Sequence, residues 1–307
     1  MATQTEIALT YDWMDDLFRL SLGDMADVSG AYYDGNYFKT LAQAQADKHD
    51  WILQGLGFET GFRVLDVGCG WGNMMNAIRK KGGYALGLTL SPAQVESCKR
   101  NHLKAILRDW KSVGFEEFGE FDAVISIGAF EHFCSIDEYL LGKQDQIYED
   151  FFKFCASHLP MSGRLYLQTM TWGETVPDPD TDVDLSAAEG TDKKILARLK
   201  KFYPGSWLPA GKKQIVESAR PCFSLIDSNN GRLDYIHTLK EWRKAAGRCF
   251  TDCIKRPSRW PIIGKLALYF FKDRDFLCRI TSCLCNDQRE VFERGIFDHH
   301  RMFFEKV

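Results

Sequence analysis

Three glycines with alternating spacing follow a short apolar run early in the chain. The stretch VLDVGCGWG starts at Val64 and places glycines at positions 68, 70 and 72. A dinucleotide-binding fingerprint would place its third glycine one residue later, and a Walker loop would end in Gly-Lys-Ser or Gly-Lys-Thr. Neither phosphate-binding pattern is present, so the turn predicts another kind of ligand.

An acidic residue, Asp66, comes just before this turn. In an open α/β sheet, ligands lie at the carboxyl ends of the strands, where glycines let them approach the backbone at a helix amino terminus. A carboxylate there accepts hydrogen bonds from the glycine amides or favours a sulfonium or ammonium group. Gly68, Gly70, Gly72 and Asp66 together favour S-adenosylmethionine (SAM) over NAD; a purely structural glycine turn is the alternative.

The turn belongs to an alternation of apolar runs and helix-forming segments. Four runs are predicted as strands: FRVLDVG, YALGLTL, FDAVISIG and GRLYLQTMTW. The segments MMNAIRKKGG and SPAQVESCKRNH lie between them and are predicted as helices. This alternation predicts βαβ units, and therefore an α/β, Rossmann-like core with helices on both faces of a parallel sheet.

Residues 1–60 are predicted to form an N-terminal helical cap. YDWMDDLFRL carries apolar residues at helical spacing, and TLAQAQADKHDWILQGLG is rich in helix formers and ends on glycine. Residues 61–307 are predicted as the core, with insertions at about 173–215 and 248–290. The first insertion opens with the acidic GETVPDPDTDVDLSAAEGTDKK, typical of a surface loop that acts as a lid. No linker divides the chain, so one structural unit is expected.

Composition narrows the class of protein. The chain has 307 residues, 45% of them hydrophobic, a net charge of -3 and a pI near 6.2, so no general attraction to nucleic acid is expected. Ten cysteines show no regular framework, and Met1 is not followed by a basic, apolar leader. These features predict a cytoplasmic protein, and no apolar run is long enough to span a bilayer.

Several motifs together resemble the cyclopropane fatty-acid and mycolic-acid cyclopropane synthase family. They are FRLSLGDMADVSGAYY, VLDVGCGWG, LGLTLSPAQ, FDAVISIGAFEHF, FYPGSWLPA and RLDYIHTLKEW, in the family's order. The resemblance spans nearly the whole chain. It implies a class I methyltransferase fold with a seven-stranded, mostly parallel sheet, and SAM-dependent chemistry on a lipid double bond.

The resemblance also implies cofactor contacts. Thr89 and Gln94 would supply neutral hydrogen bonds to the ribose, since the second strand does not end in an acid. Trp110 would stack against or cover the adenine, and Ser29 and Ile127 would line the cofactor pocket. The alternatives are ordinary core packing for Trp110 and Ile127 and a helix N-cap at Ser91.

In the resembled family an alkene attacks the sulfonium methyl, and a bound bicarbonate then removes a proton to close the ring. The bicarbonate is held by a cysteine, a glutamate, a histidine and a tyrosine. Here those positions read Gly30, Glu131, Gln168 and Tyr235. Glycine has no side chain and glutamine is not basic, so a bicarbonate site of the family type is not expected.

Glu131, His132 and Tyr235 are therefore the candidate catalytic residues. Glu131 could orient a substrate amine, stabilise a cation or act as the base; a carboxylate satisfied by backbone donors is the alternative. A structural histidine is the alternative for His132. C-methylation or cyclopropanation of a lipid alkene is the predicted reaction. Methylation of a small hydrophobic amine or prenyl compound and a catalytically decayed SAM-binding protein are the other two readings.

Residues 254–274 combine lysines and arginines with large apolar residues, which is typical of an interfacial segment. They predict a peripheral membrane contact, with a helix packed in the core or against a second subunit as the alternative; a homodimer is thus a candidate assembly. No metal site is predicted. Cys249, Cys253, Cys278, Cys283 and Cys285 lack paired C-x-x-C spacing.

Overall fold

The computed structural model describes residues 17–23, 25–179, 186–202, 205–253, 260–272 and 286–307. Residues 17–22 are helical, and short 3-10 turns cover Trp110–Ser112 and Phe130–His132. The strands are β1 Arg63–Val67, β2 Tyr84–Thr89, β3 Lys104–Leu107, β4 Ala123–Ile127, β5 Arg164–Trp172, β6 Phe223–Asn230 and β7 Phe297–Lys306. The helices are α1 Leu41–Gly55, α2 Asn73–Lys80, α3 Pro92–Arg100, α4 Phe115–Phe118, α5 Ile136–Leu140, α6 Gln144–Ser157, α7 Asp192–Phe202, α8 Lys212–Ala219, α9 Arg232–Cys253, α10 Trp260–Lys272 and α11 Asp287–Glu293.

The strands form one seven-stranded sheet in the order β3-β2-β1-β4-β5-β7-β6. Strands β1 to β5 pair in parallel, whereas β7 is antiparallel to both β5 and β6. The prediction of an α/β fold with a seven-stranded, mostly parallel sheet is confirmed. Because the chain reverses from β1 toward β2 on one side and β4 on the other, the ends of β1 and β4 form the crevice of this sheet.

Successive residues of β1 pack on opposite faces of the sheet, which places helices on both sides. Val64 packs with Ile52 of α1 and Ile78 of α2. Leu65 packs on the other face with Phe151 of α6 and the rest of a large aromatic cluster. Both residues are fully buried. From Val64 onward the strand therefore reads as an apolar run, interrupted only by Asp66.

Within the described part of the predicted N-terminal helical cap, residues 17–22 and Leu41–Gly55 are helical, whereas residues 25–40 are not. Leu17 and Leu20 are buried in a short helical segment, while the residues before 17 lie outside the described part. Helix α1 begins at a capping box in which Thr40 and Gln43 satisfy each other's backbone amides. The division into a cap and a core stays a prediction.

Three strands, β3, β6 and β7, were not among the runs predicted as strands from the sequence. The acidic segment 173–194 is irregular at 173–179 and 186–191, with α7 starting at Asp192, and its residues 180–185 lie outside the described part. Its role as a lid stays a prediction. Among the helices described, none has both the length and the apolar character required to cross a bilayer.

Candidate functional site

The three glycines between β1 and α2 all adopt left-handed backbone angles, with φ of 89° at Gly68, 52° at Gly70 and 83° at Gly72. A Cβ at Gly68 would lie 2.3 Å from the Cβ of Ala129, and one at Gly72 would lie 2.6 Å from Cδ1 of Leu103. A Cβ at Gly70 would meet no atom within 4 Å. Gly68 and Gly72 are thus required by packing, whereas Gly70 faces open space.

That space is a cavity at the carboxyl ends of β1, β2 and β4, here called the first cavity. Eight of the residues predicted for cofactor contact line it: Ser29, Asp66, Gly68, Gly70, Thr89, Gln94, Trp110 and Ile127. Gly72 is not among the lining residues and instead caps the start of α2. The roles of these residues in binding remain predictions, but the fold brings nearly all of them to one place.

Asp66 is 2% exposed and lines the first cavity. Burial, and secondarily the charge of Asp27, raise the pKa of Asp66 to about 8. A cation in the cavity would favour the ionised carboxylate. The arrangement therefore suits the sulfonium and ammonium groups of SAM.

The hydrogen bonds around Thr89 and Gln94 orient both side chains. The Thr89 hydroxyl donates to Oε1 of Gln94 over 2.6 Å and accepts from the backbone amide of Ser91. The Ser91 hydroxyl caps α3 by accepting a hydrogen bond from the backbone N–H of Gln94, which agrees with the N-cap alternative stated above. Since the Gln94 oxygen is engaged by Thr89, its amide NH2 is the group left to donate to a ligand.

Trp110 packs in the core, while its predicted contact with adenine stays a prediction. Its ring packs against Phe133, Phe151 and Phe154 at centroid distances of 5.4 to 5.7 Å. It also lines the first cavity, and its buried Nε1 has no hydrogen-bond partner within the described ranges. An adenine ring beside this indole would find an aromatic surface and a donor.

A buried charge cluster at the edge of the first cavity was missed by sequence reasoning. Nζ of Lys48 donates to both carboxylate oxygens of Asp27, at 2.9 and 3.0 Å, and also to the hydroxyl of Ser29. Nε2 of His49 lies 2.9 Å from Oδ2 of Asp27. Burial alone would raise the pKa of Asp27, but Lys48 and His49 lower it well below its usual range. This cluster fixes the segment that carries Ser29 and Gly30.

A second cavity adjoins the first. The two share Val28, Ser29, Gly128 and His132 among their lining residues. All three predicted catalytic residues, Glu131, His132 and Tyr235, line the second cavity, as do the two substituted positions, Gly30 and Gln168. The fold thus places every predicted catalytic side chain next to the predicted cofactor site.

Glu131 and His132 differ in charge state. The hydroxyl of Thr169 donates to Oε2 of Glu131 over 2.8 Å, and burial raises the pKa of this carboxyl to about 7. Nδ1 of His132 lies 2.8 Å from the Ser206 hydroxyl, and burial lowers the pKa of the imidazole to about 4. Near neutral pH the histidine is uncharged, while Glu131 is easily ionised by a nearby cation.

The substituted positions are occupied by internal contacts. Nε2 of Gln168 donates to the Gly30 carbonyl over 3.1 Å, and Oε1 of Gln168 accepts from the Tyr166 hydroxyl over 2.9 Å. A Cβ at position 30 would lie 2.6 Å from Cδ2 of Tyr235 and 3.0 Å from Cε1 of His299. The place of a side chain at position 30 is therefore taken by these two rings.

His299 is the other residue of this site that sequence reasoning missed. It lies on β7 within FDHHRMFF, whose paired histidines and arginine were the available signal. In the part of the chain that the structure covers, no three histidine, cysteine or acidic side chains are grouped as a metal site. Cys278, Cys283 and Cys285 lie outside the described residues, as do the side chains of Cys249 and Cys253.

Sheet order, glycine turn and buried acid define a SAM-dependent methyltransferase of class I, and the open space at Gly70 and the donors beside it fit SAM. Comparison with known proteins gives the family. The family model described as mycolic acid cyclopropane synthetase matches residues 1–259. The chain belongs to that family.

Individual relatives agree. Cyclopropane mycolic acid synthase 2 of Mycobacterium leprae is 34% identical over 251 residues, covering 76% of this chain and 77% of that protein. Hydroxymycolate synthase MmaA4 of Mycobacterium bovis is 30% identical over 246 residues, covering 77% of this chain and 76% of that protein. The solved cyclopropane synthase MmaA2 from Mycobacterium tuberculosis is similar in structure, with a TM-score of 0.73 at 26% identity over 99% of this chain and 98% of that one. CmaA1, solved with SAH and CTAB, also has a TM-score of 0.73, at 25% identity and the same coverage.

Proposed function

We propose that this enzyme transfers the methyl group of SAM to an alkene carbon in a long acyl chain. The observation that carries the proposal is the pairing of the first cavity with an apolar second cavity that contains a buried carboxylate. The apolar walls of the second cavity are Phe18, Met170, Trp172, Leu196, Leu199, Trp207, Leu208, Trp242 and Phe297. Such walls suit an acyl chain, and aromatic faces stabilise a cation. The relatives' names, cyclopropane mycolic acid and hydroxymycolate synthases, support a lipid alkene as acceptor.

SAM would supply the electrophilic methyl at the junction of the two cavities. Ser29 and Gly128, which line both cavities, would flank the reacting groups. When the alkene is alkylated, positive charge develops on carbon, and the nearby Glu131 carboxylate would stabilise it. Thr169 holds that carboxylate in place through its hydrogen bond. The surrounding apolar side chains would exclude water from the cation.

We propose further that the product is a methyl-branched or methylene lipid in preference to a cyclopropane. Gly30 contributes no side chain, and the Gln168 amide is already bonded to the Gly30 carbonyl and to Tyr166. Neither position therefore provides a free side-chain group to bind a bicarbonate. Glu131 and Tyr235 are the family's other two positions and remain in the cavity.

The product is tested by incubating the enzyme with ¹³C-methyl SAM and vesicles of a phospholipid with one cis double bond per acyl chain. We expect the label in the lipid as a methyl or exocyclic methylene group, with no rate response to added bicarbonate. A dominant high-field signal from cyclopropane ring protons that grows with bicarbonate would contradict the product. Absence of label in any lipid would contradict the acceptor.

Contact with a membrane surface through α10 is part of the proposal, because an acyl chain must be taken from a lipid phase. Leu266 of this helix is buried in the cluster that also holds Phe18 and Tyr235, two residues that line the second cavity. Trp260, Leu268 and Phe271 of the same helix are 58%, 57% and 83% exposed. Residues 254–259 and 273–274 of the predicted interfacial segment lie outside the described part. A homodimer stays a prediction.

A further inference from the structure

A histidine that no motif identified lies in the wall of the second cavity. His299 is 2% exposed and lines this cavity together with Gly30 and Tyr235. Its ring is stacked on the Tyr235 ring, with centroids 4.9 Å apart and planes inclined by only 6°. The stack fixes the plane of the imidazole, so the ring can rotate little without displacing Tyr235.

Two glycines determine which edge of the His299 ring faces the cavity. An ideal Cβ at Gly231 would lie 2.5 Å from Nδ1, and one at Gly30 would lie 3.2 Å from Nε2. Nδ1 is buried, and the residues that the structure describes give it no hydrogen-bond partner. The Nε2 edge is therefore directed to the side of Gly30, which itself lines the cavity.

We propose that His299 is the proton acceptor of the reaction, a role that rests on the methyl transfer to an alkene proposed above. The alkene π pair forms the bond to the methyl carbon, and the methyl–sulfur pair stays with sulfur. A neighbouring substrate carbon is left positively charged. The Nε2 lone pair then takes a proton from a carbon next to that charge, and the released C–H pair forms the new double bond. The imidazolium returns the proton to water as the product leaves.

The surroundings of His299 keep it neutral. Burial, followed by the positive charges of Arg301, His300 and Lys48, lowers the pKa of this imidazole well below its usual value. Arg301 is itself paired with Asp234 at 3.0 Å. A weak base is sufficient here, because protons next to a carbocation are strongly acidic. A neutral ring also adds no charge that would oppose formation of the cation.

His299 and Glu131 would then divide the work between them. Glu131 accepts a hydrogen bond from Thr169, and burial favours its neutral form until a cation is near. It responds to charge wherever that charge lies in the cavity. Nε2 of His299 carries one directed lone pair and can accept a proton from one position only. This difference makes the two roles separable by experiment.

The test compares two long-chain mimics of the cation, the tertiary amine hexadecyldimethylamine and the quaternary ion hexadecyltrimethylammonium. Their affinities are measured below their micellar concentrations in the presence of SAH. The protonated tertiary amine has an N–H that can donate to Nε2, whereas the quaternary ion has none. For the wild type we expect at least about tenfold tighter binding of the tertiary amine, the value of one charge-assisted hydrogen bond. We also expect a ¹⁵N shift of the His299 ring with this amine alone.

His299→Gln should remove the preference for the tertiary amine, whereas Glu131→Gln should weaken the binding of both mimics together. His300→Gln is the matched control, since His300 is the next residue on β7 and pairs with Asp298 at 3.6 Å; it should retain the preference. In turnover, His299→Gln should lose about a hundredfold or more with SAH affinity unchanged. Equal binding of the two amines by the wild type, or a preference that survives in His299→Gln, would overturn the assignment. If neither amine binds, the acyl-chain acceptor itself is wrong and the base assignment falls with it.

Discussion

Two buried acids, one in each cavity, retain their protons more strongly than free acids do. Burial raises the pKa of Asp66 to about 8 and that of Glu131 to about 7. No cationic side chain lowers the pKa of either acid, in contrast to Asp27, whose pKa is lowered by Lys48 and His49. Either acid would therefore be ionised by a positive charge that arrives from outside, which under the proposed function is a ligand cation at Asp66 and a carbocation at Glu131.

The first prediction at this scale concerns Asp66. Because its pKa is about 8 without a ligand, the cation of SAM must displace a proton when it binds below that pH. We expect SAM to bind more tightly as the pH rises from 6 to 8 and to change little above that. Calorimetry over this range measures the effect. Asp66→Asn should bind SAM weakly and with no such dependence.

The control ligand is 5′-methylthioadenosine, which lacks both the sulfonium and the ammonium and should bind independently of pH.

The stability of the ligand-free protein should fall, not rise, with increasing pH. An acid whose folded pKa exceeds its unfolded value of 3.8 gives stability that is lost as the pH rises toward 8. Ligand-free Asp66→Asn should therefore unfold at a higher temperature than the wild type at pH 8 and above. A pH-independent affinity for SAM in the wild type would contradict the raised pKa.

The sequence allowed prediction of those cavity residues that belong to a continuous local motif. Asp66, Gly70 and Glu131 belong to continuous motifs that end a strand. Lys48 and His49 lie within the polar run of α1, and nothing local distinguishes them from surface residues. Both contact Asp27, about twenty residues away in sequence, and only the folded chain brings them together.

At the scale of elements, four of the five parallel strands were predicted from the sequence, whereas the edge strand β3 and the antiparallel strands β6 and β7 were not. Strands β1 and β4 are buried on both faces and read as apolar runs. Strand β7 lies between β5 and β6, yet it contains a fully buried Arg301 and the buried His299. The two terminal nitrogens of Arg301 donate to Asp234, Asn229 and the Ala31 carbonyl, while its buried Nε has no partner among the described residues. A strand whose interior is polar for reasons of tertiary structure gives no periodic signal.

In the glycine turn, a substitution can test ligand binding without disturbing the fold. Gly70 has φ of 52° with no atom within 4 Å of an added Cβ, so Gly70→Asn should fold, since asparagine tolerates this conformation. Its side chain would enter the first cavity. We expect SAH affinity to fall by at least about tenfold, equivalent to about 1.4 kcal/mol. Calorimetry with SAH, with circular dichroism to check folding, measures this.

Gly119→Asn is the matched control, because Gly119 has φ of 69° and equally open space but does not line the first cavity. It should bind SAH as the wild type does. Gly68→Asn should instead fail to fold well, since its Cβ would meet Ala129. A well-folded Gly70→Asn with normal SAH affinity would place the ligand elsewhere.

At the scale of the whole molecule, one apolar cluster joins the second cavity to the proposed membrane contact. The cluster that joins Phe18, Trp242 and Leu266 links the walls of this cavity to α10. At 100° per residue, Trp260, Leu268 and Phe271 fall within one side of that helix, roughly opposite to Leu266. One face of α10 therefore packs on the cluster beside the second cavity, while the other presents large apolar side chains to the outside.

The last prediction follows from this geometry. Burying three large apolar side chains in a membrane interface is worth several kcal/mol at roughly 1.5 to 3 kcal/mol each for full burial, so their loss should release the protein. We expect the variant Trp260→Ser, Leu268→Ser, Phe271→Ser to bind phosphatidylcholine vesicles at least about tenfold more weakly than the wild type in co-sedimentation. Its SAH affinity should be unchanged, and its turnover should fall with vesicle lipid but not with detergent-dispersed lipid. The control variant Leu141→Ser, Met161→Ser removes two side chains that are each 68% exposed elsewhere and should keep wild-type vesicle binding. Equal vesicle binding by both variants would exclude α10 as the membrane contact.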